Sequence, residues 1–162
     1  MKFELEEENA KLLDVNPRAE IHGENAKPAA DLKIKVMLPS GELPQFHPTL
    51  RSMLYEKSSN PDLVDAATGE ANSLRFPQIG LPLKWAGEMV GATVTIHHGI
   101  SQKSDLELEG VLVNEFRLEP LEGGSVETTF RVQCHPDEKQ FGRLCSMVGT
   151  DIVVSVAPAS QE

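Results

Sequence analysis

The sequence has 162 residues, of which 40% are hydrophobic and 25% are charged, proportions typical of a globular domain that can bury a core. Acidic residues outnumber basic ones by 25 to 15, which gives a formal net charge of −10. A surface of this sign repels phosphate backbones, so nucleic-acid binding would require a local basic patch. The lysines and arginines are scattered along the sequence and form no basic run.

The amino-terminal residues and the apolar segments predict the compartment. Residues 1–8 are acidic and lack the apolar run of a secretory signal. No apolar segment approaches the roughly 20 residues that a membrane helix needs. We therefore expect a cytoplasmic protein with no membrane contact, in which Cys134 and Cys145 are reduced.

The first 40 residues contain one clear strand. Residues 1–13 fit either a strand followed by a helical turn or a loose arm, and Gly23 and Pro28 bound a predicted loop. Residues 32–38 then alternate between apolar and basic side chains, which is typical of a half-buried strand, and Pro39 ends it. The predicted inward side chains are Leu32, Ile34, Val36 and Leu38, and the outward ones are Lys33 and Lys35.

The middle of the chain has weaker patterns. Apolar residues at helical spacing predict a short helix over residues 47–55. Residues 56–73 show no sustained pattern and predict a flexible loop. Two prolines interrupt the apolar residues 74–85, which favours an edge-like or extended segment over a central strand. Trp85, the only tryptophan, is more typical of a core residue than of a ligand platform.

The second half of the sequence predicts strands over residues 92–99, 105–118, 126–134 and 151–156. Gly110 marks a bulge or bend within the second of these. Alternation places one set of side chains inward: Val94, Ile96, Leu106, Leu108, Leu112, Asn114, Phe116, Leu118, Val126, Thr128, Phe130, Val132 and Cys134. The opposite face carries Glu115, Arg117, Glu119, Glu127, Thr129, Arg131 and Gln133.

The alternation of inward and outward side chains restricts the length of the turn around Gly123 and Gly124. A two-residue turn would place inward Phe116 opposite outward Arg131, and a one-residue slip exposes every inward side chain. Loops of three or five residues both keep inward residues together. We therefore expect an odd loop with a glycine in the left-handed region.

Residues 136–148 form the best predicted helix, opened by a proline and two acidic residues and ended by Gly149. Its predicted apolar stripe is Phe141, Leu144, Cys145 and Val148. Residues 157–162 are a predicted tail. Together the elements predict one mainly β domain, an antiparallel sandwich or part-closed barrel with two short helices, the second preceding the last strand.

Metal, nucleophilic and cofactor chemistry are all disfavoured. Cys134 and His135 are adjacent, so they would point to opposite sides of a strand and could not bind one zinc ion. A pairing of Cys145 with His135 could supply a nucleophile and a base, but both cysteines lie on predicted apolar faces, where a thiol is inert. No glycine-rich phosphate loop follows a strand, so we expect no cofactor and no enzymatic activity.

Two sets of charged residues remain as candidate binding sites. Asp105, Glu107 and Glu109 share one face of a strand, where they could bind a basic partner or prevent edge-to-edge aggregation. A basic alternative would use residues on other strand faces, namely Lys33, Lys35, Arg117 and Arg131. Few aromatic residues accompany them for stacking on single-stranded nucleic acid.

Several stretches resemble small uncharacterised proteins of tailed phages and prophages. They are residues 16–20, 22–24, 28–33, 91–97, 116–120 and 135–138, and the last of them reads His135-Pro136-Asp137-Glu138. The resemblance implies a setting among early genes of DNA metabolism or host takeover, and implies no catalytic or binding residue.

Three functions remain open from the sequence. The first is a non-enzymatic phage protein that binds a host or phage protein through an acidic β surface, as a nucleic-acid mimic or inhibitor. The second is an accessory single-stranded DNA-binding factor in phage recombination or replication, which the net charge disfavours. The third is a small self-assembling virion component.

Overall fold

The computed structural model describes residues 1–22, 25–57, 72–80, 82–97 and 104–160. Nine strands are defined there: β1 Leu5–His22, β2 Asn25–Pro39, β3 Tyr55–Glu56, β4 Ser73–Leu74, β5 Leu83–Trp85, β6 Met89–His97, β7 Leu106–Pro120, β8 Ser125–Cys134 and β9 Asp151–Ala157. The helices in the same part of the chain are a 3₁₀ helix Ser40–Gln45, α1 Leu50–Leu54 and α2 Glu138–Ser146. The predicted mainly β class, with a helix before the last strand, is confirmed.

Six of the strands close into an antiparallel barrel. The order around the ring is β7, β6, β9, β1, β2 and β8, and pairing of β7 with β8 closes it. Closure removes the sheet edges, which resolves the choice between a sandwich and a part-closed barrel. Strand β5 adds to the outer end of β7, so the predicted edge-like character of residues 74–85 is confirmed for its strand.

The amino-terminal region is the largest difference from the sequence prediction. Residues 5–22 form one long strand that pairs with β9 over its first part and with β2 along most of its length. The expected helical turn within residues 1–13 is absent from this described segment, and Pro28 lies within β2. Bulges hid the strand, because register shifts between Leu5 and Glu8 and between Leu12 and Asp14 break the alternation.

Strand β7 also departs from the predicted alternation. Val111 and Val113 are buried, whereas Leu112 and Asn114 are only half-buried on the other face. Glu115 has a φ of 51°, and the β7–β8 register shifts at this point. The extra residue inverts the parity, so Phe116 and Leu118 face the core as predicted while Leu112 and Asn114 do not. Gly110, with a φ of 63°, lies near the register shifts in β6–β7 and confirms the predicted bend.

The turn between β7 and β8 follows the parity argument. Leu118 lies opposite Thr128, and the Leu121 N–H donates to the Ser125 carbonyl at 2.8 Å. The loop therefore contains the three residues 122–124. Gly123 and Gly124 have φ values of 96° and 91°, which confirms the expected odd loop with left-handed glycine.

Helix α2 starts as predicted but buries a different face. Asp137 caps it, accepting from the Gln140 N–H at 2.8 Å while the Gln140 side chain accepts from the Asp137 N–H at 3.0 Å. Leu144 is buried and Phe141 packs against the core, but Cys145 is exposed and Val148 is 41% exposed. The helix ends at Ser146 and the chain turns, so Met147 takes the core position instead.

The barrel interior is filled by side chains rather than left open for a ligand. An aromatic cluster lies at its centre, with Phe3, Phe116 and Phe130 almost completely buried and Phe3 in edge-to-face contact with Phe116 at 5.1 Å. Phe46 and Trp85 extend the cluster, and Trp85 is half-buried and packs against the core rather than lying within it. The first predicted helix is shorter than expected and buries only Leu50 and Leu54.

Some predictions concern residues outside the described part of the chain. The predicted loop 56–73 falls almost entirely on residues 58–71, and part of the tail falls on residues 161–162. Within the described ranges, no helix has the length and apolar character needed to span a membrane.

Candidate partner-binding surfaces

The predicted acidic stripe divides into two parts. Asp105 Oδ2 lies 3.0 Å from His97 Nδ1, and the Asp105 side chain is only 19% exposed. Glu107 and Glu109 are exposed on β7 and project from the barrel beside each other. Only these two carboxylates of the stripe are therefore presented to solvent.

Glu107 and Glu109 form an uncompensated carboxylate pair. A hydrogen bond and the charge of Glu109 raise the pKa of Glu107 above its ordinary value. In the described ranges neither carboxylate has a lysine or arginine within ion-pair distance. A cation supplied from outside the chain would relieve this repulsion.

The two strands that follow β7 around the barrel on the side of the pair carry no basic side chain. Strands β6 and β9 lack both lysine and arginine. Thr95 lies opposite Glu107 on one side and opposite Ser155 on the other, and the N–H of the exposed Glu7 donates to Ser155 Oγ at 3.0 Å. We call this surface the acidic wall; its members are Glu7, Thr93, Thr95, Glu107, Glu109 and Ser155.

A second group of glutamates lies at one end of the barrel. Glu4, Glu6, Glu8 and Glu42 line an open groove of about 900 Å³ beside the 3₁₀ helix. Lys2 also lines the groove and offsets one of these charges, since its Nζ lies 3.1 Å from Glu4 Oε1. The groove adds to the negative charge at the start of β1.

His97 connects three strands through a chain of hydrogen bonds. Its Nδ1 contacts Asp105, and its Nε2 lies 2.8 Å from Ser155 Oγ. This connectivity is that of a Ser-His-Asp triad, in which histidine accepts the serine proton. Acyl transfer also requires N–H donors directed at the substrate oxygen. Here the Glu7 backbone N–H donates to the Ser155 hydroxyl itself, not toward the position that a substrate oxygen would take. The arrangement therefore bonds β9, β6 and the start of β7 together.

The alternative basic residues come together in the fold. Lys33 lies opposite Arg131 across β2–β8, and Lys35 and Arg117 both lie opposite Thr129, from β2 and β7. The register also brings Lys11 of β1 beside Lys35. We call this surface the basic wall; its members are Lys11, Lys33, Lys35, Arg117 and Arg131.

Internal carboxylates neutralise part of the basic wall. Arg131 bonds to Asn114 at 3.0 Å and pairs with Glu115 at 3.3 Å, and Lys35 lies 4.0 Å from Glu127. The other three cations are exposed and have no ion pair within the described ranges. The wall is thus weakly basic rather than strongly so.

The centres of the two walls lie on opposite sides of the barrel, although β1 and β7 each contribute residues to both walls. Strand β6 is three positions around the ring from β2, and β9 is three positions from β8. In a six-stranded ring this separation is the largest possible. The charge is therefore unevenly distributed around the barrel, with Glu107 and Glu109 at one end of β7 and Arg117 near the other.

An apolar cleft lies between the β1–β2 hairpin and the start of α2. Its volume is about 640 Å³, and its lining includes Pro17, Ala19, Pro28, Pro136 and Phe141. Charged residues stand at its lips, with Lys27 on the hairpin and Asp137 and Glu138 on the helix. Proline and alanine leave room here because their side chains are short.

Comparison of this chain with models of protein families, with curated proteins and with solved structures finds no match. The resemblance to phage proteins therefore remains a hypothesis.

The remaining sequence candidates have other environments. Burial raises the pKa of the Cys134 thiol to about 12, and its Sγ donates to the Ala30 carbonyl at 3.4 Å. Cys145 is exposed, so the expectation that both thiols are buried was wrong for this one. His135 Nε2 lies 2.6 Å from Glu20 Oε2. Within the described ranges, no group of three or more potential metal ligands comes together.

Sequence reasoning considered His97 only as a potential metal ligand and missed its contacts with Asp105 and Ser155, and it missed Ser155 and Lys11 altogether. The alternation in β6 and β9 places His97 and Ser155 outward, but it does not say that these strands are neighbours. Lys11 lies in the region whose strand was hidden by bulges. Pairing between distant strands is the information that the sequence pattern lacks.

Proposed function

We propose that the protein is a non-enzymatic binding protein that contacts a basic surface of a partner protein through its acidic wall. The observation that supports this function is the exposed pair Glu107 and Glu109, which forms no ion pair with a lysine or arginine among the described residues and in which Glu109 raises the pKa of Glu107. A partner arginine or lysine placed between the carboxylates would form charge-assisted hydrogen bonds and remove their repulsion.

The shape of the wall fits such a contact. Thr93, Thr95 and Ser155 have short side chains, so a partner can approach the sheet closely. Complementary charge of this kind increases association rate and selectivity more than affinity. In the phage setting that the sequence resemblance suggests, the partner would be a host or phage protein with a nucleic-acid channel.

The proposal is tested by capture from bacterial lysate on the immobilised protein, with and without nuclease, followed by mass spectrometry. We expect a partner that is retained after nuclease treatment and lost with the Glu107→Gln/Glu109→Gln variant. The matched control is Glu88→Gln/Glu122→Gln, which removes the same formal charge at exposed positions away from the wall and should retain the partner. Equal capture by both variants would exclude the acidic wall as the contact.

The basic wall supports a second candidate function, an accessory factor that binds single-stranded DNA. Its support is the register, which gathers cations from four neighbouring strands. Binding would be strongest at low salt because phosphate contacts release counterions. Fluorescence anisotropy with a labelled oligonucleotide should then show affinity that falls with salt and with Lys33→Gln/Arg117→Gln. No binding at low salt would end this candidate.

A further inference from the structure

The β1–β2 hairpin projects beyond the barrel. Strand β1 pairs with β9 only from Leu5 to Lys11, and β2 pairs with β8 only from Ala30 onward. Residues 17–22 and 25–29 therefore form a two-stranded ribbon that pairs with no third strand of the described chain; we call it the arm. Two-stranded ribbons are marginally stable in water unless a face is covered.

One face of the arm is apolar and continuous with the barrel interior. Alternation along β1 places Pro17, Ala19 and Ile21 on the face that includes Ala30 and Pro28 of β2. Ile21, near the tip, is 77% exposed, the highest value for any large apolar side chain in the described ranges. Helix α2 covers only the base of this face, and the apolar cleft lies between them.

A network of ion pairs fixes the arm in position. Arg18 Nε lies 2.8 Å from Asp31, and another Arg18 nitrogen lies 2.6 Å from Glu20. Glu20 also contacts His135, which directly precedes the loop to α2. These contacts tie the arm to the same segment that forms the other side of the cleft, so the cleft is formed before anything binds.

A partner would bind the arm by packing side chains against its apolar face, not by adding a strand to its edge. Each strand of the arm contains a proline, Pro17 or Pro28, and proline cannot donate to a strand that adds to a sheet edge. The lips of the cleft carry opposite charges, with Lys27 on the arm and Asp137 and Glu138 on α2. A two-fold arrangement places each lip of one copy against the opposite lip of the other.

We propose that the cleft and arm form the interface of a two-fold dimer of this chain. The apolar tip at Ile21 of one protomer inserts into the cleft of its partner, and Lys27 of each protomer faces Glu138 of the other. The same patch supplies both the knob and the hole, as an isologous interface requires. This surface is separate from both walls, so the inference does not depend on the proposed function.

The test is sedimentation of the full chain over a range of concentrations. We expect a monomer–dimer equilibrium, with Lys27→Glu and Glu138→Lys each raising the dissociation constant roughly tenfold or more. The double variant Lys27→Glu/Glu138→Lys should restore dimerisation, because a two-fold axis re-forms the pair with its charges exchanged. Loss of helix-end stabilisation in Glu138→Lys persists in the double variant and cannot produce the rescue.

A second pair of variants separates the interface from stability. Ile21→Asp should abolish the dimer without unfolding the chain, because Ile21 is exposed. Val90→Asp is its matched control, since Val90 is also on a strand and 73% exposed. A monomer at every concentration, absence of rescue by the charge exchange, or equal effects of both aspartates would overturn the proposal.

Discussion

At the scale of single residues, Tyr55 shows how one polar group is held in an apolar environment. It is the only tyrosine in the chain and is 1% exposed. Its hydroxyl lies 2.8 Å from the Leu121 carbonyl and 3.2 Å from the Ser125 carbonyl. Burial raises the pKa of Tyr55 to about 12, and the hydrogen bonds join the end of α1 to the β7–β8 turn.

Tyr55 predicts a loss of stability in alkali. Because its pKa is higher in the folded state than the ordinary value near 10, its contribution is complete below pH 10 and is lost as pH rises toward 12. The free energy of unfolding should fall by about 2–3 kcal/mol over that interval. Urea unfolding of wild type and Tyr55→Phe across this range checks it, and tyrosinate absorbance follows the single phenol directly.

The Tyr55→Phe variant supplies the reference for lysine titration, which occurs in the same pH range. It should be about 1 kcal/mol less stable at neutral pH because the hydroxyl's hydrogen bonding to the Leu121 and Ser125 carbonyls is lost, although each carbonyl keeps a backbone N–H donor. Its stability should then change less with pH than that of wild type. Parallel curves for the two proteins would contradict the assignment.

At the scale of elements, regular alternation made strands predictable and bulges made them unpredictable. Residues 32–38 and 126–134 alternate without interruption, and both strands lie where the sequence predicts them. A bulge at Glu115 inverted the faces within β7, and bulges in β1 concealed an 18-residue strand. A bulge adds a residue without a composition signal unless glycine occupies it, as at Gly110.

The candidate surfaces were predictable only as separate residues. The sequence identified the outward positions of Lys33, Lys35, Arg117 and Arg131, and strand pairing then determined that they meet. Asp105 was grouped with Glu107 by alternation, but its hydrogen bond with His97 depends on the pairing of β6 with β7. Such pairings join residues far apart in the sequence, so local patterns do not specify them.

The β7–β8 turn gives a prediction about backbone conformation. Gly123 and Gly41 would each direct a new Cβ into open space, but only Gly123 has a left-handed φ, of 96°. Gly123→Ala should therefore destabilise the protein by about 1–2 kcal/mol, the cost of a left-handed conformation for a residue with a Cβ. Gly41→Ala should be neutral or slightly stabilising. Chemical denaturation of both variants tests this, and equal effects would refute the conformational explanation.

At the scale of the whole molecule, the barrel is stabilised by a core that draws on both halves of the sequence. Phe3 is fully buried between Phe46, Phe116 and Phe130, with ring centroids 5.1–5.5 Å apart. These four residues come from the amino-terminal segment, the 3₁₀ helix region, β7 and β8. The amino-terminal segment is therefore part of the core and is not loosely attached to the barrel.

Truncation of Phe3 should destabilise the entire barrel. Phe3→Ala removes a large side chain from a packed centre and should cost about 3–5 kcal/mol in the free energy of unfolding. Phe76→Ala is the matched control, because Phe76 is 55% exposed and its loss should cost little. Thermal and denaturant unfolding measure both. A cost below about 1 kcal/mol for Phe3→Ala would mean that the segment does not close the core.

The position of β1 between β2 and β9 has a consequence for the chain as it is made. Strand β1 leaves the ribosome early, whereas β9, its second neighbour, follows after about 140 residues, or roughly 7–28 seconds of synthesis. During that time one edge of the β1–β2 hairpin lacks its partner. Three consecutive glutamates, Glu6 to Glu8, lie in the part of β1 that pairs with β9, just before its pairing with β2 begins at Ala10, and like charges there would discourage pairing between neighbouring nascent chains. These residues thus oppose aggregation of the nascent chain before the barrel has formed.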